Sequence, residues 1–316
     1  MYNDKIICVV VPAYNEEKLI GHTLESIPEF VDWVVVVDDC SQDKTSDIIQ
    51  EWVSQQPERF VLLNHIVNQG VGGAIASGYK WCRDHSIDVA VVMDGDSQMA
   101  PEDLPSLLDP VVMGEVDYAK GNRLISGEAW AKIPKVRYLG NAVLSFLTKI
   151  ASGYWHIADS QSGYTAINAK ALKAIDWDLM YKRYGHPNDR LVRLNIYNFR
   201  VRDVEIHPVY GIGEVSGFNP ILIIPSMAWL ILKLFIKRMV QKYVIRDFHP
   251  LIFFYLMSFG LLALSVPLFV RIMYFLFMTG YIPPMNTLIF VFCAILGAQS
   301  LFFAMWFDML DNQHLR

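Results

Sequence analysis

The chain of 316 residues is poor in cysteine. It has four, Cys8, Cys40, Cys82 and Cys293, with no C-x-x-C pair and no His/Cys cluster at zinc spacing. A disulfide scaffold and a zinc module are therefore not expected, and the thiols read as scattered, reduced residues of a cytosolic domain. Net positive charge is also lacking. The formal charge of -5 argues against general nucleic-acid binding. The amino-terminal apolar run Ile6–Val11 is too short for a secretory signal and is broken by Pro12, so the first domain is expected to stay in the cytosol. There is no internal repeat and no low-complexity segment. Neither a G-x-x-x-x-G-K-[ST] loop nor a G-x-G-x-x-G loop occurs, so the two common phosphate-cradling signatures are missing.

What is present is apolar sequence, 53% of the chain, unevenly spread. The first half alternates short apolar runs with amphipathic stretches. Ile6–Val11, Trp33–Val37, Phe60–Leu63 and Val89–Met93 read as strands, and Asp117–Lys120 as another short one. Glu17–Ile27, Lys44–Val53, Gly73–Asp84 and Glu102–Met113 read as helices. Strands that are continuously apolar imply burial on both faces. Their alternation with helices predicts an α/β domain with a largely parallel sheet.

From Phe218 onward the composition changes. Leu251–Val270 is a run of 20 residues without a formal charge, and Thr287–Phe307 is one of 21. Each matches the roughly 20 residues needed to cross a bilayer. The uncharged turn Gly280–Pro284 joins them as a hairpin tip. Lys233, Lys237, Arg238, Lys242 and Arg246 precede the first run. By the positive-inside rule both termini and the catalytic domain are expected in the cytoplasm of a multi-pass membrane protein. Ile221–Val244 mixes apolar residues and Trp229 with lysine at helical spacing. It reads as one or two helices lying in the membrane interface. The expected domains are residues 1–217, 218–247 and 248–316.

The chemistry concentrates where apolar runs end. Asp94-Gly95-Asp96 follows Val89–Met93, placing two carboxylates at a strand end, where open α/β sheets bind ligands. Carboxylate oxygens suit Mg²⁺ or Mn²⁺, which commonly bridge to phosphates, and Gln98 adds a neutral oxygen. A second acidic strand end, Asp38-Asp39, lies upstream. Asp39 could accept a hydrogen bond from a base N–H, while Ser41 and Asp43 could cap the next helix. Pro12 closes the first strand. Asn15 either caps a helix or belongs with Glu16 to a nucleotide-binding edge near a ribose. Asn68–Ala74 is glycine-rich, and is either a close phosphate approach or a tight turn that lets a helix pack. Arg123 could fork onto a diphosphate or lie free on the surface. Asp159 is a candidate carboxylate on the acceptor side, or part of a capped turn. Asn188-Asp189-Arg190 and the loop Tyr210–Gly217 complete the polar inventory; the loop could close over a donor or be a plain linker.

The segments VVPAYNEE (10–17), VDDCSQDKT (37–45), NQGVGGA (68–74), DGDSQMAPEDL (94–104), GNR (121–123) and DSQSGYTA (159–166) occur in this order. Together they resemble family-2 glycosyltransferases of the GT-A fold. With the two carboxyl-terminal runs, the chain most resembles the polyprenyl-phosphate glycosyltransferases of the dolichol-phosphate mannose synthase type. The resemblance covers residues 5–217 by motif and the rest by layout. It implies that Pro12, Tyr14 and Glu16 open the nucleotide site and that Asp39 contacts the base. It implies a metal and diphosphate site of Asp94, Asp96 and Gln98, holding Mg²⁺ or Mn²⁺. Arg123 falls at a phosphate-contacting position and Asp159 at an acidic acceptor-side position. Ser162 joins them in substrate binding, and Asp96, Asp159 and Arg123 form the catalytic set. Cys40 stands where glycine is usual, and Ser97 and Met99 replace more frequent residues around Gln98.

The implied reaction is a metal-dependent, inverting transfer of a sugar from a nucleotide-diphosphate donor. The acceptor is a membrane polyprenyl phosphate, undecaprenyl or dolichyl. Alternatives are a polysaccharide synthase or another membrane acceptor, and a silent scaffold that keeps the fold. Polysaccharide synthases usually carry a Q-x-x-R-W segment, absent here. A small membrane footprint also leads us to expect a homo-oligomer, such as a tetramer.

Overall fold

The computed structural model describes residues 1–124, 135–207 and 220–316. The Tyr210–Gly217 loop and the expected boundary at 217/218 lie outside the described residues. The chain divides into two compact units. One is Met1–Ile236 with Leu315–Arg316, and the other is Lys237–His314.

The first unit is built on a seven-stranded sheet of order β3-β2-β1-β4-β6-β5-β7. Its strands are β1 (Ile7–Ala13), β2 (Trp33–Asp38), β3 (Phe60–Asn64), β4 (Val89–Val92), β5 (Tyr118–Asn122), β6 (Thr165–Asn168) and β7 (Val201–Glu205). β3, β2, β1 and β4 run parallel, as their continuous apolar character predicts. The sheet is mixed rather than wholly parallel, because β6 lies antiparallel between β4 and β5. That reversal carries the segment before β6 to the carboxyl end of β4, since Val92 pairs with Thr165.

Helices cover both faces. They are α1 (Ile20–Ser26), α2 (Thr45–Gln55), α3 (Val71–Asp84), α4 (Leu104–Val112), α5 (Lys135–Ser152), α6 (Ala169–Ala174) and α7 (His186–Ile196), while α8 (Pro220–Val240) packs Leu234 on Val192 and Ile196 of α7. Successive residues of a strand point to opposite faces. Cys8 and Val10 of β1 accordingly enter a core with Ala74 and Tyr79 of α3 and Leu191 of α7. Ile7, Val9 and Val11 enter a second core with Ile20, Ile49 and Leu104 of α1, α2 and α4.

The second unit contains two long helices, α9 (Leu251–Thr279) and α10 (Pro284–Asp311), of 29 and 28 residues. At 1.5 Å per residue each extends about 43 Å, more than the ~30 Å of a bilayer's hydrocarbon core. Both are long and apolar enough to cross a membrane. The stretch expected as one or two interfacial helices is the single helix α8 followed by one π-helical turn, Gln241–Arg246. Trp229, Leu232, Ile236 and Val240 are exposed at helical spacing along α8.

Candidate functional site

The carboxyl ends of the parallel strands converge. The Gly95 N–H donates to the Pro12 carbonyl at 3.3 Å, so the turn after β4 folds against the end of β1. Asp94 and Asp96 flank that turn, and the Gln98 N–H donates to Asp96 Oδ1 at 3.1 Å. Ser97 adopts φ +58°, a left-handed conformation that tightens the turn between Asp96 and Gln98. Burial and the neighbouring Asp96 push the Asp94 carboxyl up to about 7, against the pull of Arg190 and Arg123. Burial, with Asp96 and Asp43 nearby, pushes Glu16 up to about 7 as well. Glu16 therefore belongs electrostatically to the Asp94/Asp96 cluster. Gly163 closes the other side: a Cβ there would stand 2.8 Å from Asp94 Oδ2, so any larger residue would press on the carboxylate.

Arg123 leaves the end of β5 and forks onto Asp159. Its Nε donates to Oδ2 at 2.8 Å and its Nη2 to Oδ1 at 3.2 Å. Asp159 is buried and its Oδ1 also accepts the Gln161 N–H at 3.1 Å. Burial alone would raise this carboxyl, but Arg123 and Lys120 outweigh it and hold it down at about 2. A group so acidic is a poor proton acceptor at neutral pH, and its visible work is to fix the guanidinium. Lys120, fully buried on β5, donates to the carbonyls of Asp159 at 2.5 Å and Ser162 at 3.0 Å. Burial lowers the Lys120 ammonium to about 8. Asp203 of β7 accepts from Asn122 Nδ2 and from the Ala158 N–H, both at 2.7 Å, fastening the same segment from the far side.

Asp39 sits at the end of β2. Its Oδ1 accepts from His65 Nδ1 at 2.7 Å and the Gln69 N–H at 2.8 Å, and its Oδ2 accepts the Gly70 N–H at 2.6 Å. Asn68–Gly70 is thus a tight turn held by Asp39, leading into α3 at Val71. The Gly72 N–H goes to the Lys182 carbonyl at 2.9 Å, so these amides are spent within the protein rather than offered to a phosphate. Gly70 has φ +85°, which only glycine adopts freely. Asn15 is not a helix cap. It lies at φ +57° ahead of α1, whose N-cap is Leu19, and its Oδ1 accepts the Gln42 N–H at 2.8 Å. Asp43 does serve the start of α2, accepting the Thr45 N–H at 3.0 Å. Ser41 donates instead to Asp38 Oδ1 at 2.5 Å. Cys40 adopts φ +67°, which accounts for the glycine usual at that position.

Of the expected residues, Pro12, Glu16, Asp94, Asp96, Gln98, Arg123, Asp159 and Ser162 gather at the ends of β1, β4 and β5. Asp39 lies one strand further, and Tyr14 is exposed at the rim. The sequence reading missed Lys120 and His65, and named Arg190 in its polar inventory without giving it a role. Lys120 and Arg190 are fully buried charges, and Arg190 Nη1 donates to Tyr79 Oη at 3.0 Å. The signal available was a lysine inside an apolar strand and an arginine on the apolar side of a helix. Among the described residues, no three His, Cys, Asp or Glu side chains are placed to hold a metal ion by themselves.

A sequence model described as glycosyl transferase family 2 matches residues 8–176. Over 235 residues the chain is 31% identical to a UDP-N-acetylglucosamine–dolichyl-phosphate N-acetylglucosaminyltransferase of Methanococcus voltae, covering 68% of this chain and 93% of that protein. It is 33% identical to an undecaprenyl-phosphate mannosyltransferase of Micrococcus luteus, covering 67% of this chain and 88% of the relative. Among solved structures it is similar to glucosyl-3-phosphoglycerate synthase from Mycobacterium tuberculosis, crystallised with Mn²⁺, UDP and glucosyl-3-phosphoglycerate. The TM-score is 0.54 at 20% identity, over 74% of this chain and 80% of that one. At that identity the likeness is one of fold.

Proposed function

Since the chain belongs to glycosyl transferase family 2, as a polyprenyl-phosphate glycosyltransferase of GT-A-like fold, we propose that it moves a sugar from a nucleotide-diphosphate donor onto a membrane polyprenyl phosphate, with inversion. The observation that carries this reading is the meeting of Asp94, Asp96 and the Arg123–Asp159 fork at the carboxyl ends of β4 and β5, in a chain with two candidate spans.

The carboxylates fit a hard divalent cation. Asp94 and Glu16 are both held near 7 by burial and by negative neighbours, a strain that Mg²⁺ or Mn²⁺ would relieve. Asp94 and Asp96 would hold the ion, with Gln98 beside them. The donor's diphosphate and water would supply the remaining oxygens, as is usual for Mg²⁺. Bound there, the ion supplies charge neutralisation for the leaving diphosphate.

The chain's own residues do the rest. Arg123, held in plane by Asp159, presents a fixed cation to phosphate oxygens. A phosphate monoester acceptor is already ionised at neutral pH, so no strong general base is needed. That agrees with an Asp159 held at about 2. The exposed apolar stripe of α8 would lie in the membrane interface and α9 and α10 would span the bilayer. Both termini and the catalytic domain would then be cytoplasmic, near the emerging lipid phosphate. We keep 1–217, 218–247 and 248–316 as the proposed functional division, and propose association into a homo-oligomer from this small footprint. Native mass spectrometry in mild detergent checks the last point.

A donor screen tests the reaction. Protein, Mn²⁺ or Mg²⁺ and a polyprenyl phosphate are incubated with each radiolabelled nucleotide sugar, and label is counted in the organic phase. Label from one donor, abolished by EDTA, is expected. No label from any donor with folded protein and metal present overturns the reading.

A further inference from the structure

A single residue, Gly95, separates the two acids of the turn after β4. It has no side chain to restrict it, so its backbone rotates freely unless its peptide groups are held. Its N–H is held by the Pro12 carbonyl of β1 at 3.3 Å, and its carbonyl accepts from Thr23 Oγ1 of α1 at 3.0 Å. Those two bonds fix the two peptide planes that set how the Asp94 and Asp96 side chains leave the turn.

Thr23 is fully buried and lies outside the motifs legible in the sequence. A hydroxyl has one proton to give and two lone pairs to offer. Ser97 Oγ lies 2.7 Å from Thr23 Oγ1, so the arrangement that serves both has Ser97 donating to Thr23 and Thr23 donating to Gly95. Ser97 is the residue at φ +58° in this turn, so the one hydroxyl holds two successive corners of it. Thr23 is itself fixed by its helix. Its N–H donates to the Leu19 carbonyl at 2.9 Å, and the Leu19 and Ile20 N–H groups donate to the Glu16 carbonyl at 3.0 and 2.9 Å. Helix α1 thereby ties Glu16 to the Asp94–Asp96 turn.

A hard divalent cation held by two carboxylates needs their oxygens in one relation, since Mg²⁺ accepts little departure from octahedral geometry. Groups one step behind the ligands set that relation, and their loss commonly weakens metal binding by 10- to 100-fold. Resting on the reading of Asp94 and Asp96 as the pair that holds Mg²⁺ or Mn²⁺, we propose that Thr23 is a positioning residue for the cation. Its hydroxyl keeps the Gly95 carbonyl turned into α1 and so holds the two acids in register with each other. Without that hydroxyl the carbonyl of the buried Gly95 loses its partner, and the peptide turns to find another.

The test is Mn²⁺ binding to the full-length protein in mild detergent, with UDP or GDP present, followed by the electron paramagnetic resonance signal of free Mn²⁺. Thr23→Val keeps the shape of the side chain and removes the hydroxyl. It should weaken Mn²⁺ binding by about tenfold. Thr23→Ser keeps the hydroxyl and should stay within about threefold of the wild type. Ser97→Ala removes the far end of the 2.7 Å bond from outside the core, and so serves if Thr23→Val does not fold. It should weaken Mn²⁺ by about threefold, because Thr23 keeps its bond to Gly95 but loses the donor that orients it. Wild-type affinity in Thr23→Val, or in Ser97→Ala where Thr23→Val is unfolded, overturns the inference and leaves the metal reading standing. Equal losses in Thr23→Val and Thr23→Ser also overturn it, since the hydroxyl is then not the group that matters. A wild type that binds no Mn²⁺ with either diphosphate overturns the metal reading, and the inference with it.

Discussion

Arg123 and Asp159 are 36 residues apart in the chain and meet through two hydrogen bonds at the end of β5. The sequence motifs made each a candidate, but nothing in their spacing made them partners. The partnership makes Asp159 the mount for the Arg123 guanidinium, the group we propose faces the donor's phosphates. Lysine cannot reproduce a planar fork. Arg123→Lys should therefore lower kcat by about 100-fold with little change in thermal melting, in a donor-to-lipid transfer assay. Lys120 was not legible as a site residue, because a strand lysine has no motif of its own. It makes a separate prediction from its pKa. Burial lowers its folded value to about 8 from an ordinary 10.5. Below pH 8 both states carry the proton and the burial penalty is constant. Between 8 and 10.5 the folded protein releases it first, so the penalty shrinks and stability rises with pH. Lys120→Met should lose that rise. Melting temperatures of variant and wild type at about pH 7.5 and 9.5 give the comparison. Parallel curves for the two proteins would contradict it.

The elements that sequence patterning located well are those with continuous apolar runs; β1, β2 and β4 are buried along nearly their whole length and β3 is partly so. β1 to β4 fall within two residues of where their apolar runs place them. β6 and β7 went unseen because they are short and carry polar residues. β6 is only Thr165–Asn168, and in β7 Arg202 and Asp203 interrupt Val201 and Val204, so neither a continuous nor an alternating apolar pattern appears. The antiparallel β6 matters for the site, since it delivers Gly163 to Asp94. The glycines at the start of α3 were readable as either a phosphate loop or a packing device. Packing decides it at Gly72, where a Cβ would overlap the Tyr181 carbonyl oxygen, and the same holds further along the helix at Gly78, where it would overlap Val10 Cγ1. Gly78→Ala should cost about 2 kcal/mol by forcing α3 off β1. Combining it with Val10→Ala makes room for the added methyl, so the double variant should melt above the sum of the two single losses. Strict additivity would mean that α3 shifts without strain.

For the whole molecule, composition alone marked the change from an α/β unit to one with two helices long and apolar enough to cross a membrane. What composition hid is how charge is carried at the end of the second run. Arg238 and Asp308 are both 0% exposed and pair in a two-pronged bond, Nη1 to Oδ1 at 2.7 Å and Nη2 to Oδ2 at 2.9 Å. Tyr243 Oη and Asn312 Nδ2 add donors to Asp308 Oδ1 at 2.8 and 3.0 Å. Arg238 and Asp308 are 70 positions apart, with α9 and most of α10 between them, so this pair closes the base of the hairpin. A buried pair gains little over an apolar pair of similar volume, yet breaking one side strands the other charge. Asp308→Ala should therefore destabilise the second unit by about 3–5 kcal/mol, read as a lowered melting temperature in detergent. Arg238→Met combined with Asp308→Leu removes both charges and should recover most of that loss. If the double variant melts as low as Asp308→Ala, the pair does more than neutralise itself: its hydrogen bonds to Tyr243 and Asn312 would then be what holds the hairpin base. If it recovers, the charges are a matched burden and the apolar faces of α9 and α10 carry the stability of the unit.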